Sequence, residues 1–108
     1  MRLILVAVCA ALGMAVSTAG AADSNVVSIE MRQQSFIPEK AVVKPGSTVM
    51  WTNGDTIPHS VTANDGSFDS GPILPGQSFK WTASSVGNVA YHCIFHPSMK
   101  AALTVRQK

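Results

Sequence analysis

Cys93, His96 and Met99 stand at a C-x2-H-x2-M spacing in the segment Tyr91-His92-Cys93-Ile94-Phe95-His96-Pro97-Ser98-Met99. Cysteine offers a soft thiolate, histidine a borderline nitrogen and methionine a weak, soft thioether. Together with a second histidine they make the donor set of a mononuclear blue-copper site. The spacing predicts a strand that ends at the cysteine and a turn stiffened by Pro97. Histidine and methionine then point into one pocket before a last strand begins. Zinc prefers tetrahedral cysteine and histidine ligands and gains little from a thioether, so Met99 argues for copper.

The sequence holds 3 histidines, which leaves His59 and His92 for the fourth position. Adjacent strand residues face opposite sides, so His92 points away from any metal that Cys93 holds. His59 follows Pro58 at the start of a strand, just after a turn, where side chains at the end of a sandwich converge. The expected ligands are therefore His59, Cys93, His96 and Met99, around one copper ion cycling between Cu2+ and Cu+. Taken singly, a cysteine is more often a small buried hydrophobe. Four donor types at this spacing are not independent, and that decides for the metal.

The compartment supports the same reading. Arg2, the apolar run Leu3 to Val16 and the small residues Ala19-Gly20-Ala21-Ala22 read as an export signal over residues 1–22. Cleavage after Ala21 or Ala22 leaves a domain over residues 23–108. The apolar run is short for a membrane span of ~20 residues, and no second run follows, so no span is expected in the mature chain. Of the 2 cysteines, Cys9 leaves with the signal. Cys93 is then a single thiol in an oxidising compartment, where it calls for a partner other than an internal disulfide.

The elements that must position these side chains read as strands. Val26 to Met31 alternates apolar and polar, as a half-buried strand does. Ala41 to Val43, Thr48 to Thr52, His59 to Ala63, Gln77 to Thr82, Gly87 to Cys93 and Ala101 to Val105 follow, separated by turn residues such as Lys44-Pro45-Gly46 and Asn53-Gly54-Asp55. Only the stretch Asn64 to Pro75 reads as a long loop. Seven to eight short strands without a helix predict an all-β fold, a small β-sandwich or barrel. Phe36, Trp51, Phe79, Trp81 and Tyr91 are its expected large core residues.

Charge points to no polyanionic partner. The chain has 8 Lys+Arg against 6 Asp+Glu, scattered along its length, and carries no basic run for nucleic acid.

With these residues in view, the sequence resembles the cupredoxins of the plastocyanin, pseudoazurin and amicyanin type over nearly all of residues 23–108. Phe36-x-Pro38, Val43-Lys44-Pro45-Gly46 and Val49-x-Trp51-x-Asn53 resemble the family's second and third strands. Pro58-His59 resembles its first ligand motif. Cys93-x-x-His96-Pro97-x-Met99 resembles the short ligand loop of amicyanin. The position after the first histidine is often an asparagine that locks the ligand loop; here it is Ser60, which must hold the loop differently.

The resemblance implies a cupredoxin-like Greek-key β-sandwich and a periplasmic type 1 copper protein that shuttles single electrons and is no enzyme. It implies His96 as the ligand nearest the surface, framed by an apolar patch. Ile57, Pro58, Pro72, Leu74 and Pro97 are the candidates for that patch. The expected partners are transient redox proteins, such as a dehydrogenase donor and a cytochrome acceptor, met by a monomer. A periplasmic copper-binding protein for buffering or delivery is the alternative, though the chain carries no Met- or His-rich tail.

Overall fold

The computed structural model describes residues 25–107, which contain eight strands and, among the described residues, no helix. The strands are β1 (Val26–Arg32), β2 (Ser35–Ile37), β3 (Lys40–Val43), β4 (Ser47–Asn53), β5 (Thr62–Ala63), β6 (Ser78–Ala83), β7 (Gly87–Cys93) and β8 (His96–Val105). They form two four-stranded sheets, ordered β2-β1-β4-β6 and β3-β8-β7-β5. The all-β sandwich expected from the alternating pattern is what forms. Each sheet contains one parallel pair, β1 with β4 and β3 with β8, and is otherwise antiparallel. The proposed export signal over residues 1–22 lies outside the described residues. No helix among the described residues is long and apolar enough to cross a membrane.

Alternation builds the core. On β4 the buried residues are Ser47, Val49, Trp51 and Asn53, every second position, as the pleat dictates. Ile29 and Met31 join them from β1, Tyr91 and Cys93 from β7, and Leu103 and Val105 from β8. Edge-to-face contacts link the sheets: the Tyr91 ring lies 4.8 Å from that of Phe36 and 5.4 Å from that of Trp51. Phe79 and Trp81 share a face as expected but are only half-buried, because β6 is an edge strand. The long loop after β5 lays Phe68 against both, 4.6 Å from the Trp81 ring and 6.3 Å from the Phe79 ring.

Three boundaries depart from the sequence reading. β2 is absent from the alternation pattern, although Phe36 within it belongs to the resemblance. It pairs with β1 across a turn at Gln33-Gln34, where both residues have positive φ, 55° and 56°. Such a hairpin turn usually announces itself as Asn-Gly or Asp-Gly, and two glutamines gave no signal. The strand expected over His59 to Ala63 shrinks to Thr62–Ala63, with His59 held instead by an isolated bridge to Ile73. β8 begins at His96 rather than Ala101, because Cys93 pairs directly with His96 across a register shift at His92/Cys93. The histidine and methionine thus lie on the last strand, not ahead of it.

Candidate metal centre

Three loops and strand ends meet at one end of the sandwich. Cys93 closes β7 and His96 opens β8. His59 is delivered by the segment after β4, which the buried Asn53 fastens. The Asn53 Nδ2 group donates to the carbonyls of Ile57 and Ile73, both at 2.9 Å, and its Oδ1 accepts from the Asp55 N–H at 2.8 Å. The backbone of His59 exchanges two hydrogen bonds with Ile73, at 3.1 and 2.7 Å.

This frame brings one donor atom each from His59, Cys93 and His96 within 4.8 Å of one another. The Cys93 Sγ lies 3.7 Å from His59 Nδ1 and 3.6 Å from His96 Nδ1. Metal–nitrogen bonds of about 2.0–2.1 Å and a metal–thiolate bond of about 2.3 Å, opened to between tetrahedral and trigonal angles, require about 3.5–3.8 Å between those atoms. Both sulfur–nitrogen distances therefore suit a small metal ion. His59 and Cys93 are fully buried, Met99 is 2% exposed, and His96 is half-buried. Met99 lies on the inward face of β8 with Leu103 and Val105. His92, excluded by alternation, does turn away: its Nδ1 sits 2.6 Å from Asn64 Oδ1.

Two polar residues around the cluster escaped the sequence reading or gained a role. Asp55 Oδ2 lies 2.7 Å from His59 Nε2 and accepts the N–H of Gln34 at 3.0 Å, while Oδ1 accepts that of Gln33 at 2.6 Å. Partial burial opposes the charge of Asp55. The N–H groups of Gln34, His59 and Gln33 outweigh it and hold the carboxyl below its usual range. A carboxylate only accepts, so His59 donates from Nε2 and turns the Nδ1 lone pair toward Cys93.

Ser60 is fully buried. Its N–H points at Cys93 Sγ at 3.4 Å, and its Oγ accepts the Ile94 N–H at 2.9 Å. The same Oγ lies 2.9 Å from Thr62 Oγ1, which donates to Asp69 at 3.2 Å. The short side chain thus ties the ligand turn to β5. The serine was noticed in the sequence; its hydrogen bond across 34 residues was not legible there.

At the surface, Ile57, Pro58, Pro72, Phe95 and His96 line an almost wholly apolar hollow. Three of the five expected patch residues are there. Pro97 instead lines a neighbouring depression with Asn64, His92 and Lys100, and Leu74 is exposed outside the hollow. Phe95, 46% exposed, was missed. An aromatic between two ligands, Cys93 and His96, was the available signal.

Comparison with known proteins agrees with this geometry. An amicyanin from Paracoccus versutus is 30% identical over 89 residues, a match that spans 78% of this chain and 66% of that protein, just under two thirds of its length. The solved structure of a purple cupredoxin from Nitrosopumilus maritimus superposes with a TM-score of 0.68 at 27% identity, over 73% of this chain and 98% of that one. An oxidized mutant of amicyanin shares the fold, with a TM-score of 0.71 at 24% identity over 74% of this chain and 81% of that one. The profile of the Cupredoxin-like domain matches residues 3–105, nearly the whole sequence, and the chain belongs to that family.

Proposed function

We propose that this protein is a type 1 copper protein that carries single electrons in the periplasm, with His59, Cys93, His96 and Met99 as ligands. The observation that carries the proposal is the cluster of Cys93 Sγ with two imidazole nitrogens at 3.6–3.7 Å, two of the three residues fully buried. A copper ion there supplies a one-electron Cu2+/Cu+ couple, and two histidines, one cysteine and a weak methionine suit both oxidation states. The chain's own contribution is rigidity. His59 is fixed through Asp55 and the Ile73 bridge, Cys93 through the Ser60 N–H, and the ligand turn through Ser60 Oγ. A site held this firmly has little to rearrange when its charge changes.

Burial of His59, Cys93 and Met99 excludes water and any substrate from three sides, which supports a carrier rather than an enzyme. His96 is the ligand that reaches the surface, at the floor of the apolar hollow. A small apolar face suits brief encounters with redox proteins, whose weak complexes bury little area. A dehydrogenase donor and a cytochrome acceptor are the partners we favour, met by a monomer.

The test is to add copper(II) to the purified protein lacking residues 1–22 and to record its visible spectrum and reduction potential. An intense thiolate-to-copper band, lost in Cys93→Ser, supports the proposal. A colourless protein, or one that takes zinc in preference to copper, overturns it.

A further inference from the structure

Asp55 is not a ligand, yet its carboxylate joins the metal cluster to a remote part of the fold. One oxygen holds His59, and together the two oxygens accept both N–H groups of the Gln33-Gln34 turn. The turn comes from the β1–β2 hairpin, and the contact reaches across 22 residues. The Asp55 side chain is 15% exposed and that of His59 is wholly buried, so the contact is shielded from water on the histidine side. The Asp55 N–H is itself held by Asn53 Oδ1 at 2.8 Å. Three contacts to its carboxylate and one from its own N–H therefore hold this residue in place. Gln33 and Gln34 adopt positive φ without being glycine, a conformation that costs a side-chain-bearing residue energy. The Asp55 carboxylate is what they gain there.

We propose that Asp55 is a positioning residue for the metal ion. It keeps the His59 proton on Nε2, leaving Nδ1 as the donor, and sets the plane of the ring. Its negative charge strengthens that donor and favours the ion of higher charge, which lowers the reduction potential. A carboxylate on the far nitrogen of a metal-bound histidine acts in this way generally. Here the carboxylate is in turn oriented by a strained hairpin turn, so β1 and β2 take part in the site without supplying a ligand. The inference rests on the copper reading above.

The test uses Asp55→Asn, which preserves shape and one acceptor for the turn. Its amide offers one accepting oxygen to the three donors that the carboxylate holds and carries no negative charge, so the His59 ring loses the charge beside Nε2 and competes with the turn for the acceptor that remains. Titration with Cu(II) and with Zn(II) is expected to show affinities about 10–100-fold below those of the unaltered protein. Loss for Cu(I) is expected to be smaller. Each tenfold difference between Cu(II) and Cu(I) raises the potential by about 59 mV for one electron. In the unaltered protein, loaded with Zn(II), imidazole nitrogen NMR is expected to find the His59 proton on Nε2 and slow to exchange. That measurement stands even where the variant does not fold.

A proton found on Nδ1 overturns the inference. So does an Asp55→Asn protein that melts at lower temperature in the metal-free state while keeping both metal affinities and the potential, because Asp55 would then only cap the turn. An unaltered protein that binds neither ion overturns the copper reading itself. One that turns blue while Asp55→Asn changes nothing overturns only the role of Asp55.

Discussion

Tyr91 is the single tyrosine of the chain, and it lies two residues before the cysteine, 1% exposed, against Phe36 and Trp51. Its hydroxyl has no hydrogen-bond partner. Burial pushes the phenol up to about 12, opposed by the Trp51 indole N–H, which approaches without meeting hydrogen-bond geometry. The folded chain therefore holds this proton more tightly than the unfolded chain, whose tyrosine ionises near pH 10. Stability from this group is complete below about pH 10 and is lost as pH rises toward about 12. Two units at 1.36 kcal/mol each give a loss of about 2–3 kcal/mol, a large part of the stability of a small domain. Urea unfolding of the metal-free protein at steps between about pH 9 and pH 11.5 reads this directly, and the phenolate ultraviolet band, owed to one residue, follows the ionisation. In Tyr91→Phe the alkaline loss attributable to the phenol disappears. The cost at neutral pH is small, since the hydroxyl removed had no partner. A folded protein whose phenolate appears near pH 10, or a Tyr91→Phe variant with an unchanged alkaline loss, refutes the reasoning.

Ser60→Ala strips the acceptor from the Ile94 N–H and is expected to cost about 1–2 kcal/mol, seen as a lower urea midpoint, with faster amide exchange at Ile94. Leu103→Ala opens a cavity beneath β7 and β8, where Leu103 is fully buried, and is expected to cost about 2–5 kcal/mol in urea unfolding. Phe95→Lys places charge in the apolar hollow, so two copies approaching by that face repel. Electron self-exchange of the copper-loaded protein, followed by NMR line broadening, is expected to fall about tenfold, the equivalent of about 1.4 kcal/mol. An unchanged rate moves the docking face elsewhere.

Much of the site was legible because chemistry and spacing coincide over a few residues. Cys93, His96 and Met99 lie within seven residues of one another, and the pleat alone set His92 aside from Cys93. The strands β4 and β7 were legible because both alternate over their whole length. What escaped was whatever depends on two distant segments meeting. Asp55 reads as a turn residue after Asn53-Gly54, and only the arrival of Gln33-Gln34 makes it part of the site. Those two glutamines hid β2 for a related reason: tertiary hydrogen bonds stabilise a turn that their own propensity disfavours. The early start of β8 was hidden by Pro97, which reads as punctuation yet sits within a strand. Phe68 lay inside what read as loop, and its place against Trp81 comes from the loop folding back over an edge strand.

The pairing of β3 with β8 is parallel and spans more than half the described chain, from Lys40 beside Ala102 to Val43 beside Val105. β3 has no other neighbour in its sheet. A strand laid down early thus waits for the last strand before its backbone groups are satisfied. That same last strand carries His96 and Met99. Closure of the sheet and assembly of the metal pocket are therefore one event, late in the order in which the chain is made. A chain that emerges N-terminus first has no finished pocket until nearly all of it is free to fold, because Lys40–Val43 and His96–Val105 close the sheet together.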